Sequence, residues 1–490
     1  MELKNKEQIS VVWLKRDLRL NDNEAIFNAI SSKNRVLFVY LFEDSLQEDL
    51  HYSERHWNFI KQSLVDLNTN LKQYNTKVLT VQSEVLSFFR YALLKLNITE
   101  IFSHIETGIL KTYERDKVVK RFCRNNTINW VENVHNGVFR GRENRDNWQE
   151  DWETYMNSKQ FDFNPEPSVF ISSQEIDELF KELTTVSLLT DNKTLFQKGG
   201  RNFALKYANS FFNTRYKNYA KYISKPTEAR ESCSRLSPYI AWGNVSIREI
   251  YQKAKQVKAT ATNKRAIDGF ISRLRWQAHF IQKFEMECVM ETESLNKGYK
   301  KLKKNISDSY IKAWEEGNTG IPFIDACMRC LVATGYLNFR MRAMLVSFLT
   351  HNLWQPWQEA SKHLSRLFLD FEPGIHFPQL QMQAGETGIN AIRIYSPIKN
   401  GLTHDSDALF ITKWVPELKK LPLAFKHEPF KMTFLEQKLY DFELGDKYPN
   451  PIVDMKISRK KASDLIYGMR TDPDVINESY RILKKHIVRQ

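Results

Sequence analysis

Strand signals occupy only the first part of this chain, and that asymmetry restricts its fold more than any other feature. Residues 11–14 and 36–42 are apolar runs that read as strands, and 77–81, 101–104 and 128–131 read as three further strands. The run 36–42 (VLFVYLF) is continuous enough for a strand buried on both faces. Helical spacing separates these runs, at 23–30 and along 56–71, where Phe59, Ile60, Leu64, Leu67 and Leu71 share one face. Such alternation predicts a mostly parallel, Rossmann-like α/β sheet with right-handed crossovers over residues 1–140. Residues 141–200 are rich in Asn, Asp, Glu, Ser and Pro, carry Trp148 and Trp152, and close on Gly199-Gly200. They read as an interdomain connector with one helix at 173–183. From 201 to 490 helical spacing dominates, which predicts an all-α domain.

The totals agree with a folded, multidomain protein. At 490 residues the chain exceeds what one core serves, and 42% of it is apolar. No run of 18 apolar residues exists and MELKNKEQIS lacks a signal-peptide core, so no membrane span and a cytoplasmic location are expected. Five cysteines, an odd number, fit free thiols in a reducing compartment. Cys327 and Cys330 have C-x-x-C spacing but lie in a helical pattern without a second cysteine or histidine pair, so they read as structural. Neither a metal nor an iron–sulfur cluster is expected. A net charge of +14 favours a polyanionic partner, nucleic acid first. No G-x-G-x-x-G or G-x-x-x-x-G-K occurs in the α/β part.

Residues 312–401 hold the chemistry. Ile321, Ile324, Met328, Leu331 and Val332 recur at helical spacing, as do Met344, Leu345, Phe348 and Leu349. Among them stand Arg340, Arg342, Asp370, Glu372 and His376, charges that are costly in apolar surroundings unless paired or bound to a polar ligand. Two readings are open: an ion pair that pins helices together, or a pocket for a polar aromatic cofactor. Upstream, Ser234, Leu236 and Ser237 lie in a loop before a helix, with Tyr222 and Arg235 close in sequence. Such loops either cap the helix or offer amides and hydroxyls to a diphosphate.

Four segments together resemble the photolyase/cryptochrome flavoprotein family: VVWLKRDLRLNDNEAI at 11–26, SRLSPYIAWGNVSIREIY at 234–251, WEEGNTGIPFIDACMRCLVATGY at 314–336 and RIYSPIKNG at 393–401. The resemblance implies an N-terminal antenna-type domain, a long linker and a helical domain holding FAD. It places Tyr222, Ser234, Arg235, Leu236, Ser237, Gln277, Asn338, Arg342, Asp370, Glu372 and His376 around that FAD, with His376 facing the flavin N5. A histidine there predicts pH dependence between about pH 5 and 8. It implies a folate or deazaflavin antenna, damaged base-flipped DNA as partner, and a monomer. Trp276 falls where a ring stacks on a flipped base, with Arg273, Gln277, Arg340 and Asn400 on the same substrate side.

The departures are specific. Arg273 stands where dimer-repairing members usually carry Glu, Gln277 where Arg is usual, and Ala343 where Met is usual. The histidine pair of (6-4) photoproduct repair falls on Asn338 and Phe339. In the tryptophan chain for photoreduction, Trp357 matches the middle member, but Leu380 and Lys304 replace the other two. Trp314, Trp354, Tyr336 and Tyr395 are candidates for another route. The implied activity is light-driven repair of pyrimidine dimers by electron transfer from photoexcited reduced flavin, with Trp276, Arg342, Asp370, His376 and Trp357 in the reacting machinery. The alternative is a cryptochrome-like blue-light photoreceptor with little or no repair.

Overall fold

A computed structural model describes residues 7–190 and 194–487. Residues 1–6 and 488–490, at the outer ends of the two expected domains, and 191–193 of the expected connector lie outside the described residues.

Five strands form one sheet: β1 (Gln8–Leu14), β2 (Arg35–Phe42), β3 (Val78–Gln82), β4 (Asn97–His104) and β5 (Asn129–Asn133). Their order is β3-β2-β1-β4-β5 and every pairing is parallel, with Val11 opposite Leu37, Val12 opposite Phe102 and Tyr40 opposite Thr80. Side chains alternate between two cores, as the strand period of two requires. Val11, Trp13, Leu37 and Val39 meet the helices Val85–Lys95 and Leu110–Asn125. Val12, Leu14, Phe38 and Phe42 meet the helices Glu24–Ser31 and Glu54–Leu71. The second core runs on without a break into the helical part of the chain.

Strand β4 begins at Asn97, four residues before the apolar run that signals it. Its polar start is held by ladder pairing to β1 and by Glu100, which accepts from Ser10 and Asn34. The connector is a packed layer. Thr185 bridges Val81, the Gln82 amide donates to Thr184 at 3.0 Å, and Phe170, Ile171, Ile176 and Phe180 are buried. The segment thereby covers the free edge of β3. The connector helix ends at Leu179, short of the expected 183, and a second helix, Trp148–Asn157, is present.

After Arg201 the described residues are helical with short 3-10 and π turns. The β1 turn ties the two parts together. Arg16 Nε donates to the Ala241 carbonyl at 3.1 Å with its guanidinium 4.4 Å over Trp242. Arg19 donates to the Gly243 carbonyl at 3.2 Å, and Asp22 pairs with Arg248 and Ser246. The Arg-Asp-Leu-Arg turn is therefore a buried interdomain rivet.

Candidate active site

Helix Phe339–Ser347 and the stretch 368–372 meet at a bidentate ion pair. Both Arg342 Nη atoms donate to the Asp370 carboxylate at 2.9 Å, and Arg342 Nε donates to the Leu337 carbonyl at 2.7 Å. The Asp370 side chain is 7% exposed and that of Arg342 25%. Burial alone would raise the Asp370 pKa; Arg342 and the Ser237 hydroxyl outweigh it and hold the carboxyl below its ordinary value. Ser237 opens the short helix Ser237–Ala241, so the 234–237 loop and the ion pair belong to one site. Arg235, at φ +60°, lays its guanidinium 3.7 Å over Tyr336, a ring that also lies 5.8 Å from Arg342. Arg235 Nη2 donates to Gln197 Oε1 at 2.7 Å and its carbonyl accepts from Gln197 Nε2 at 2.9 Å. Its side chain thus braces the loop from behind, and Leu236 is buried beneath it. The Ser234 carbonyl accepts from Arg215 at 3.2 Å.

Asn338 precedes helix Phe339–Ser347 and reaches back: Nδ2 donates to the Ile223 carbonyl at 3.0 Å, which holds half-buried Tyr222 close to the same wall. Asn338 Oδ1, Ser361 Oγ and Arg235 Nε are buried without a partner among the described residues. Orphaned donors and acceptors in an apolar wall are costly unless a polar ligand meets them. Together with the partly open face of Arg342, they fit a flavin nucleotide.

Glu372 lies 3.7 Å from Arg16 Nη2, whose Arg16 also donates to the Phe371 carbonyl. Burial pushes the Glu372 carboxyl up to about 7 against the pull of Arg16. His376 differs from the sequence expectation. One ring nitrogen, Nε2, is bonded to the Ser361 carbonyl at 3.0 Å, and Phe371 and Phe377 pack edge-on against the ring. Burial holds its pKa down to about 3, which opposes a His376 titration between pH 5 and 8, whereas burial moves Glu372 of the same site toward neutrality.

On helix Lys264–Met286, Trp276 is 49% exposed and leans on His279 and Phe280, Arg273 is exposed one turn earlier, and Gln277 is half-buried. Arg340 is half-buried with Nε unpartnered. Asn400 donates to the carbonyl of Ser396, the N-cap of its own helix Pro397–His404, at 2.8 Å. Trp357 is fully buried, and its Nε1 donates to Ser294 Oγ at 3.0 Å. Ser294 donates to Glu386 at 2.7 Å, and Glu386 pairs with Lys304 at 2.9 Å. Lys304, where the resemblance implies a surface tryptophan, has a side chain only 4% exposed that lies 5.1 Å under the Trp354 ring. Leu380 is buried. Arg16, Gln197 and Tyr336 also shape this candidate site: Arg16 is signalled in the sequence only by the Arg-Asp-Leu-Arg turn, Gln197 by no pattern, and Tyr336 enters as the stacking partner of Arg235.

The crevice where strand order reverses, between β1 and β4, is the usual ligand position of such sheets. Here Arg115 fills it, bonded to Glu43 at 2.8 Å, Glu106 at 2.6 Å and Asp116 at 2.8 Å, while Lys15 reaches Asp116 at 3.3 Å. Both cations lie on Trp13, at 4.8 and 4.1 Å. None of the five charged side chains is more than 11% exposed.

Comparison with known proteins agrees with this architecture. Residues 10–152 match the DNA photolyase family model, and residues 270–467 match that of the FAD binding domain of DNA photolyase. The chain belongs to the photolyase and cryptochrome flavoprotein family. A deoxyribodipyrimidine photo-lyase of Buchnera aphidicola is 26% identical over 94% of this chain and 98% of its own length. One from Alkalihalophilus pseudofirmus is 30% identical over 55% of this chain and 56% of its own length. The solved structure of a cryptochrome from Synechocystis superposes with a TM-score of 0.83 at 21% identity, covering 94% of this chain and 99% of that one. Relatives thus carry both names, photolyase and cryptochrome. Among the described residues no helix is long and apolar enough to cross a membrane, and no group of three or more His, Cys, Asp or Glu is placed to hold a metal ion.

Proposed function

We propose that this protein is a light-driven repair enzyme for pyrimidine dimers in DNA, with FAD held between the 234–237 loop and the Arg342–Asp370 pair. Bound reduced FAD would supply the light-absorbing electron donor. The chain's own part is positional and electrostatic. Arg342, fixed by Asp370 and Leu337, presents a cation that favours an electron-rich ring. Neutral His376 adds no charge.

The observation that carries the repair reading is Trp276, an exposed ring on a strongly basic protein beside Arg273. Stacking of a flipped base on such a ring contributes about 1–3 kcal/mol. Trp276→Ala is therefore expected to weaken binding of a dimer-containing oligonucleotide by about 5- to 150-fold, read by fluorescence anisotropy at fixed salt. Unchanged affinity would remove Trp276 from the substrate face. The photoreceptor reading is favoured by one feature, the exchange of Glu for Arg273 and of Arg for Gln277.

Glu372 gives a pH prediction. Its folded pKa is raised, so its proton is held below about pH 7 and lost above it. A negative charge then appears beside the flavin, and the flavin midpoint potential falls as pH rises through 7. Spectroelectrochemical titration is expected to show this component vanish in Glu372→Gln and persist in His376→Asn. The reverse pattern would return the role to His376.

A folate or deazaflavin antenna does not fit the crevice between β1 and β4, because it would have to displace the paired charges around Arg115.

A further inference from the structure

A cavity of about 440 Å3 opens where three parts of the chain meet: the first turns of helix Glu54–Leu71, connector residues 194–198, and Arg366-Leu367 at the end of helix Trp357–Leu367. Its volume lies in the range of small-molecule sites. Its lining carries three cations, Arg55, Lys198 and Arg366, and one carboxylate, Glu54. Glu54 faces Lys61 at 3.8 Å and is largely exposed. Among the described residues, none of the three cations has a carboxylate within 4 Å. Arg55 is half-buried. Two of its five N–H groups meet the carbonyls of Leu367 (2.8 Å) and Val332 (3.3 Å), and Phe196 covers its guanidinium at 4.7 Å. Burial and, after it, the charge of Arg366 hold Arg55 down to about 10. Like charges are thus gathered around a void with apolar walls at Phe59, Phe196 and Leu367, an arrangement that an incoming anion relieves.

We infer that this junction cavity is a binding site for a small organic anion, a phosphate- or carboxylate-bearing ligand of mononucleotide size. The guanidinium forks of Arg55 and Arg366 suit either head group, and the Phe walls suit a flat ring. The site also has a route to the flavin loop. Gln197 lines the cavity and bonds Arg235 in both directions, at 2.7 and 2.9 Å. Occupancy therefore bears on the 234–237 loop, a coupling that rests on reading that loop as part of the flavin site; the anion site does not.

The test uses the full-length protein loaded with FAD, titrated at low salt with inorganic phosphate, adenosine monophosphate and folate by calorimetry and thermal shift. The expected result is saturable one-to-one binding of adenosine monophosphate or folate, competed by phosphate. Which of the two binds tells the phosphate source from the carboxylate source. Affinity should fall at least about tenfold in Lys198→Glu and in Arg366→Glu, both exposed positions, one charge interaction across a cavity being worth about that much. Lys159→Glu, a remote exposed control, should leave it unchanged. Two variants guard against a folding failure in either one. No saturable binding of any probe at millimolar concentration, or affinity in both charge-reversal variants equal to that of the unmutated protein, would overturn the site. Failure of the protein to take up FAD, with probe binding intact, would instead strike the flavin reading.

Discussion

Arg342→Ala is expected to purify with its flavin largely gone. The substitution removes both 2.9 Å bonds to Asp370 and leaves that carboxylate 7% exposed and uncompensated. Breaking one partner of such a pair costs about 3–5 kcal/mol, which is more than two orders of magnitude in an equilibrium constant. Part of this falls on the fold and part on the cofactor, so two readings are needed: the ratio of flavin to protein absorbance, and the thermal midpoint of the flavin-free protein. Asp370→Asn retains a hydrogen-bonding partner for Arg342 and is expected to lose less flavin than Arg342→Ala. Arg342→Lys keeps the charge without the fork and should fall between. A full flavin complement in Arg342→Ala would move the cofactor away from this pair.

Gly243→Ala is the largest stability effect expected. Gly243 has φ +75°, and a Cβ there would lie 2.2 Å from the Arg16 carbonyl oxygen and 2.4 Å from Asp17 Cα. Both neighbours are backbone, so no rotamer change relieves the clash. The turn that must yield is the interdomain rivet, in which Arg16 and Arg19 bond the Ala241 and Gly243 carbonyls. Left-handed strain and overpacking together cost about 3 kcal/mol or more. Differential scanning calorimetry should show a clearly lower unfolding temperature, or the protein should be insoluble. Gly468, in helix Met455–Met469, is the matched control, because a Cβ added there would meet nothing within 4 Å. Gly468→Ala should be neutral or stabilising by up to about 1 kcal/mol. Equal behaviour of the two variants would contradict the rivet.

The parallel sheet is legible in the sequence because β1 and β2 bury nearly continuous apolar runs and the more polar strands follow at helix-separated intervals; a run such as 36–42 has no other stable use. Helix Trp148–Asn157 is not, because Glu150, Asp151 and Glu153 dominate its composition; only Trp148, Trp152 and Met156, at spacing four, mark the buried stripe. The Arg342–Asp370 pair is legible as charge in apolar surroundings. The state of His376 is not, because its titration depends on the Ser361 carbonyl and on Phe371 and Phe377, contacts that residue type does not reveal. Arg16 and Glu372 lie far apart in sequence, and only the docking of the β1 turn onto the helical part brings them together. Lys304 shows the same limit: as a replacement for a tryptophan it reads as a broken chain, whereas in the fold it is a buried partner of Glu386.

The central claim is tested most directly by illuminating the photoreduced protein with an oligonucleotide carrying a cyclobutane pyrimidine dimer, beside a dark control, and counting intact dimers. Repair predicts loss of dimers in the light only, with Arg273 and Gln277 serving a substrate face that differs from the usual one. Full survival of the dimers in the light, with FAD bound and reducible, would contradict dimer repair and leave the photoreceptor reading in its place.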